Sequence, residues 1–77
     1  MNKIIEVEYY RPEAHYGDVT CEECVTWAKA EARARYLSRK YGEAFAVERE
    51  LDRGGRFVRD VRATRFVEGY LDFRDKG

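Results

Sequence analysis

The 77-residue chain predicts an α+β domain: a single helix packed on a three- or four-stranded, mainly antiparallel sheet, in the order β-α-β-β with a short last strand. Three observations predict it. Residues 1–10 alternate with the two-residue period of a half-buried strand. Residues 20–41 are dense in Ala, Glu, Arg and Lys and end at a glycine. Two extended segments then flank the pair Gly54-Gly55, which reads as a hairpin.

So short a chain closes around one core, so residues 1–77 form one domain with no room for a large composite active site. Its 44% hydrophobic and 14% aromatic content is too high for a disordered tail. No apolar run approaches the roughly 20 residues that span a bilayer, and the N-terminus turns acidic at Glu6. The expectation is a soluble, cytoplasmic protein without a membrane partner. Cys21 and Cys24 are too few and too close for a disulfide framework, so reduced thiols are expected. Stability then rests on packing of Trp27, six Tyr and four Phe, and homodimerisation would add to so thin a core.

In the first strand Ile5, Val7 and Tyr9 share one side, with Glu6 and Glu8 opposite. The segment 11–18, with Pro12 and Gly17, reads as a loop. Thr20-Cys21-Glu22-Glu23 fits a capping box and predicts a helix over 20–41, with Arg39 and Lys40 in its last turn and Gly42 as its C-terminal cap. At 100° per residue, Trp27, Ala30, Ala34, Leu37 and Tyr41 form the stripe expected to cover the sheet. Cys21, Val25, Ala28, Ala32 and Tyr36 form a second stripe, either water-tolerant helix formers or a smooth face for a partner.

The second strand, 43–52, has a clear inside and outside, with Phe45, Val47 and Leu51 expected inside and Ala46, Glu48, Glu50 and Asp52 on the solvated side. The third, 56–67, carries apolar residues of both parities, so both faces should meet something apolar. Glu68-Gly69 reads as a turn into a short fourth strand at 70–73. A right-handed crossover would make the first two strands parallel, with the third between them. Ile4, Tyr10, Val58 and Phe66 would then project onto the sheet face that the helix leaves open.

Catalytic chemistry finds little purchase. Cys21-x-x-Cys24 on a first helical turn is a redox placement, but the intervening Glu22-Glu23 would raise a thiolate's pKa. One CxxC supplies two of the four ligands that zinc needs; His15 would be a third, with Asp18 or a glutamate as a poor fourth, and a dimer could pair two such motifs. The only serine, Ser38, lies deep in the helix, and no phosphate loop follows the GxxxxGK pattern. No enzyme activity, metal or cofactor is expected.

Charge is unevenly placed. Residues 1–23 hold two basic and six acidic groups, 29–41 five and one, 43–52 one and four, and 53–65 five and one, within a net charge of zero. Arg53, Arg56, Arg59, Arg62 and Arg65 recur every third residue. Arginine and tyrosine beside aliphatics describe a protein-binding surface, and the set Tyr10, Arg56, Val58, Arg59, Arg62, Arg65 and Phe66 is the first candidate site. Val25, Ala28, Lys29, Ala32, Arg33 and Tyr36 form the second candidate face. The plainer reading pairs the arginines with acidic neighbouring strands. A nucleic-acid surface built from the arginine-rich hairpin is the alternative function, and zero net charge weighs against it.

A short strand, Lys3-Ile4-Ile5-Glu6-Val7, a helix containing Trp27-Ala28-Lys29-Ala30-Glu31-Ala32-Arg33, and a hairpin turned at Gly54-Gly55 make the chain similar in element order and size to small phage-encoded inhibitors, including type I anti-CRISPR proteins. The resemblance implies a non-catalytic protein that binds a nucleic-acid-bound host surveillance complex and sterically blocks its access to DNA. No individual site residue follows from it.

Overall fold

The computed structural model describes residues 2–10 and 19–71; the expected loop at 11–18, with His15 and Asp18, and the tail beyond Leu71 lie outside the described residues. The first strand, β1 (Asn2–Tyr10), is an inner strand of the sheet and pairs antiparallel on both sides. One partner corrects the sequence reading: residues 19–24 form a strand, β2 (Val19–Cys24), and the helix starts later. Thr20-x-x-Glu23 offered a capping box, but β-branched Val19 and Thr20 instead join a six-pair ladder from Tyr10↔Val19 to Ile5↔Cys24. The working cap is Thr26, extended at φ −130°, whose side chain accepts the Lys29 amide at 3.1 Å.

From that cap α1 (Trp27–Tyr41) presents its first predicted stripe to the sheet: Ala30, Ala34 and Leu37 are buried, Trp27 and Tyr41 half-buried. Gly42 ends the helix at φ +100°, its amide donating to the Ser38 carbonyl. Ala28, Ala32 and Tyr36 face outward as the second stripe required, whereas Cys21 and Val25 precede the helix and leave that stripe.

The next strand, β3 (Glu43–Leu51), faces the other way from expectation. Ala44 and Ala46 meet the helix, in one core with Val7, Tyr9, Ala30, Ala34, Leu37 and Phe66. Alanines opposed to alanines let helix and sheet approach closely, so small side chains make the inside and the larger Phe45 takes the opposite parity. Next, β4 (Phe57–Val67) pairs antiparallel with β3, and β5 (Tyr70–Leu71) is a strand as expected over the described part of 70–73, the rest of which lies outside the described residues.

The sheet order is β2-β1-β3-β4-β5, with every neighbouring pair antiparallel. The predicted α+β class holds, with five strands. The expected order, with the strand at 57–67 between two parallel strands, does not. Because β2 reverses the chain before the helix, α1 joins β2 to β3 across β1, and β3 itself separates β1 from β4. At the β3–β4 turn only Gly55 uses a positive φ, +81°, while the Asp52 carboxylate accepts the Gly54 and Arg56 amides at 2.8 and 2.9 Å. The β4–β5 turn places Glu68 at φ +51° and Gly69 at +90°, the mirror-image turn that matches strand twist.

Candidate partner-binding site

The arginines of β4 are where the sequence reading concentrated, and the ladder with β3 decides what they can do. Arg59 donates through Nε to Glu50 at 3.0 Å, Arg62 through Nε to Glu48 at 2.7 Å, and Arg65 through Nε to Glu43 at 2.7 Å. The plainer expectation of cross-strand pairing is therefore met at three positions. Residues three apart on a regular strand point to opposite faces, yet Arg59 and Arg62 engage Glu50 and Glu48, which share one. A register shift resolves this: Glu48 pairs with Arg62 but Arg49 with Asp60, so Val61 is an extra residue, and a second shift leaves Val58 unmatched. The bulge turns both guanidiniums to the helix-bearing face, where that of Arg62 lies 4.1 Å over the Trp27 ring.

Three members of the first candidate set move as a result. Phe66 is 1% exposed in the core beneath the helix, with Arg35 over its ring, because the small Ala44 opposite leaves it space. Arg62 lies on the helix side instead of the open face. Tyr10 sits beside Val19 at one end of the sheet, while Leu51, next to the hairpin of Arg56, pairs with Asn2 at the other. At about 3.3 Å per residue along β1 the two ends are roughly 25 Å apart. What remains at the hairpin end of the sheet is Arg56, Val58, Arg59 and Arg62, with Arg59 and Arg62 on the helix-bearing face and exposed Phe57, opposite Leu51, on the other. Arg65 belongs to the opposite face, level with Phe45.

That opposite face holds a feature no sequence motif signalled. Arg49 donates to Glu6 at 2.7 Å and to Glu8, and lies 3.3 Å from Asp60, so one guanidinium serves three carboxylates from two strands. The β1–β3 register brings Glu6 and Glu8 to Arg49, and the β3–β4 register brings Asp60. In the second candidate face, Val25, Ala28, Lys29, Ala32, Arg33 and Tyr36 are all exposed. Arg33 bridges to Glu22 at 2.9 Å and lies 5.3 Å over the Tyr36 ring.

The redox and zinc readings lose their geometry. Cys21 and Cys24 lie on β2, an edge strand, where a spacing of three sends them to opposite faces. Burial pushes both thiols up, helped at Cys21 by Glu6 and at Cys24 by Glu22, opposite to what a thiolate nucleophile needs. Among the described residues no group of three or more His, Cys, Asp or Glu side chains is placed to hold a metal ion. Ser38 has a structural use: it is fully buried, donates to the Arg35 carbonyl at 2.8 Å and accepts the Gly69 amide at 2.7 Å, tying helix to turn. Glu22 accepts from Tyr9 at 2.6 Å as well as from Arg33, and these bonds hold its carboxyl below the ordinary glutamate value. Among the described residues no helix is long and apolar enough to cross a membrane. No family model, curated protein or solved structure matches the chain.

Proposed function

We propose that this chain is a small, non-enzymatic protein-binding module that meets its partner at the hairpin end of the sheet, through Arg56, Val58, Arg59 and Arg62 with the neighbouring Phe57. The observation that carries the reading is the ladder of matched charges: Glu50, Glu48 and Glu43 each hold one arginine of β4. A phosphate-binding surface must offer cations that release counterions, and guanidiniums already flanked by carboxylates serve that purpose poorly. Half-exposed arginines, one of them lying over the Trp27 ring, suit a protein hot spot better.

In role, we read the module as an inhibitor that occupies a host surveillance-type complex and blocks its access to nucleic acid by bulk. The support is similarity in element order and size to small phage-encoded inhibitors. The insertion of β2 before the helix departs from that order, so the likeness rests on the first strand, the helix and the hairpin.

The alternative, a nucleic-acid-binding accessory protein, would depend on the cations that have no carboxylate partner among the described residues: Lys3 on β1, Arg53 and Arg56 at the hairpin, and Lys29, Arg35, Arg39 and Lys40 on the helix. Fluorescence anisotropy with labelled single-stranded and duplex DNA and RNA separates the two readings. The proposal expects no saturable binding at about 150 mM salt. Binding whose affinity falls steeply with salt, with a slope of several phosphates, would replace it with the alternative.

A further inference from the structure

The sheet separates charges that the sequence balances. On the helix-bearing side the outer half of α1 carries Lys29, Arg33, Arg35, Arg39 and Lys40, all exposed. Against these five cations stand two carboxylates, Glu31 and the Glu22 that accepts from Arg33, for a net +3. The opposite face gathers Glu6, Glu8 and Glu23 from the β1–β2 ladder and Asp60 from β4 around the single guanidinium of Arg49, for a net −3. Glu43 and Arg65, also on that face, form a neutral pair. A chain of zero net charge is thereby a dipole across its sheet.

Both poles are accessible. Among the described residues the single helix covers one side of the sheet and no element packs on the other, where Ile4, Phe45 and Leu51 are half-buried and Phe57 is exposed. On α1, Lys29, Tyr36 and Lys40 fall on one stripe that faces away from buried Ala30, Ala34 and Leu37. Neither lysine has a carboxylate partner among the described residues.

Going beyond the partner-binding reading above, we infer that copies of this chain associate head to tail, the basic outer face of α1 in one copy seating on the acidic open sheet face of the next. The dimensions match. Lys29 and Lys40 are eleven residues apart, about 16 Å along a helix. Glu23 and Asp60 lie three strand spacings apart and are offset by two residues along the strands, which is also about 16 Å. A helix laid across the strands therefore brings one lysine to each end of the acidic row, with half-exposed Tyr36 between them to cover Ile4. Contacts between like faces oppose like charges, which disfavours a two-fold dimer through either face. The unlike contact uses opposite sides of the molecule, so it cannot close between two copies and instead adds copies in series. One helix face buries little area, and the dissociation constant should be on the order of 100 μM.

Sedimentation velocity of the intact protein tests this. Between about 10 μM and about 1 mM in about 20 mM salt, the mean mass should climb from the 9.1 kDa monomer past that of a dimer, and about 0.5 M salt should return it to monomer. That series needs no variant. Lys29→Glu with Lys40→Gln cancels the charge of the helix face, and Glu23→Lys with Asp60→Asn cancels that of the sheet face. Each double variant, shown to be folded by its thermal transition, should remain monomeric alone. Mixed in equal amounts they should form a one-to-one dimer and nothing larger, because each keeps one intact face. Wild type that stays monomeric or stops at a dimer, association indifferent to salt, or a mixture of folded variants that stays monomeric would each overturn the inference. Monomeric wild type that binds labelled duplex DNA, with binding lost in the Lys29→Glu, Lys40→Gln variant, would overturn it too and assign the helix face to phosphate.

Discussion

Replacing Ser38 with alanine removes a side-chain hydrogen bond that joins the C-terminal half of α1 to the β4–β5 turn. In the folded protein Ser38 Oγ accepts the Gly69 amide at 2.7 Å, and both residues are buried. The substitution leaves a buried amide without a partner, which costs about 1–3 kcal/mol. Alanine returns roughly 0.5 kcal/mol through its better helix propensity, so the net loss should be about 0.5–2.5 kcal/mol. That is a large share of the roughly 4–12 kcal/mol that holds together a chain of this length. At about 4–8 °C per kcal/mol for a small domain, the thermal midpoint should fall by roughly 2–20 °C. Urea denaturation followed through Trp27, the only tryptophan, gives the free energy, and amide exchange at Gly69 gives the local effect. A variant within about 0.5 kcal/mol of wild type, with Gly69 still protected, would refute the argument.

Charge reversal should separate two arginines that look alike in the sequence. Arg56→Glu, at the exposed hairpin, should shift stability by no more than about 0.5 kcal/mol, whereas Arg62→Glu loses the Trp27 ring contact, sets two carboxylates together at buried Glu48 and should cost about 1–3 kcal/mol in the same urea assay. Arg49→Met leaves Glu6, Glu8 and Asp60 around an absent cation and should destabilise by about 2–3 kcal/mol in the urea assay. Glu22, lowered first by its bond from Arg33 and then by that from Tyr9, titrates below its unfolded value. Its contribution is therefore complete above the unfolded carboxyl pKa of about 4.3 and is lost as pH falls through the folded value. Urea midpoints measured between pH 6 and 3 should fall more steeply for wild type than for Glu22→Gln.

Much of the fold was readable because its signals are local. The stripe from Trp27 to Tyr41 follows from helical periodicity, and Gly42 and Gly69 mark positive-φ positions. β2 was not readable, because Thr20-x-x-Glu23 imitates a cap and the pairing that overrides it depends on distant Ile5–Tyr10. The run of β-branched Val19, Thr20, Val25 and Thr26 was the available signal against an early helix. The facing of β3 was misread because larger side chains suggest an inside, yet the close approach of α1 favours Ala44 and Ala46. At the site, cross-strand pairing of the arginines could be anticipated from the charge blocks. Their faces could not, because the extra residue at Val61 leaves no mark in the alternation and brings Arg59 and Arg62 to one side. The Arg49 cluster likewise depends on register between strands about 40 residues apart, 41 and 43 for its two glutamate partners.

The central claim is that matched charges direct this surface toward protein and away from phosphate. Affinity capture of tagged protein from its host lysate, with and without nuclease and followed by mass spectrometry, tests it most directly. The account predicts a discrete protein partner in near-constant yield after nuclease and a clear loss when Arg59→Glu is the bait. Recovery that collapses on nuclease treatment, and that Arg59→Glu does not change, would contradict it.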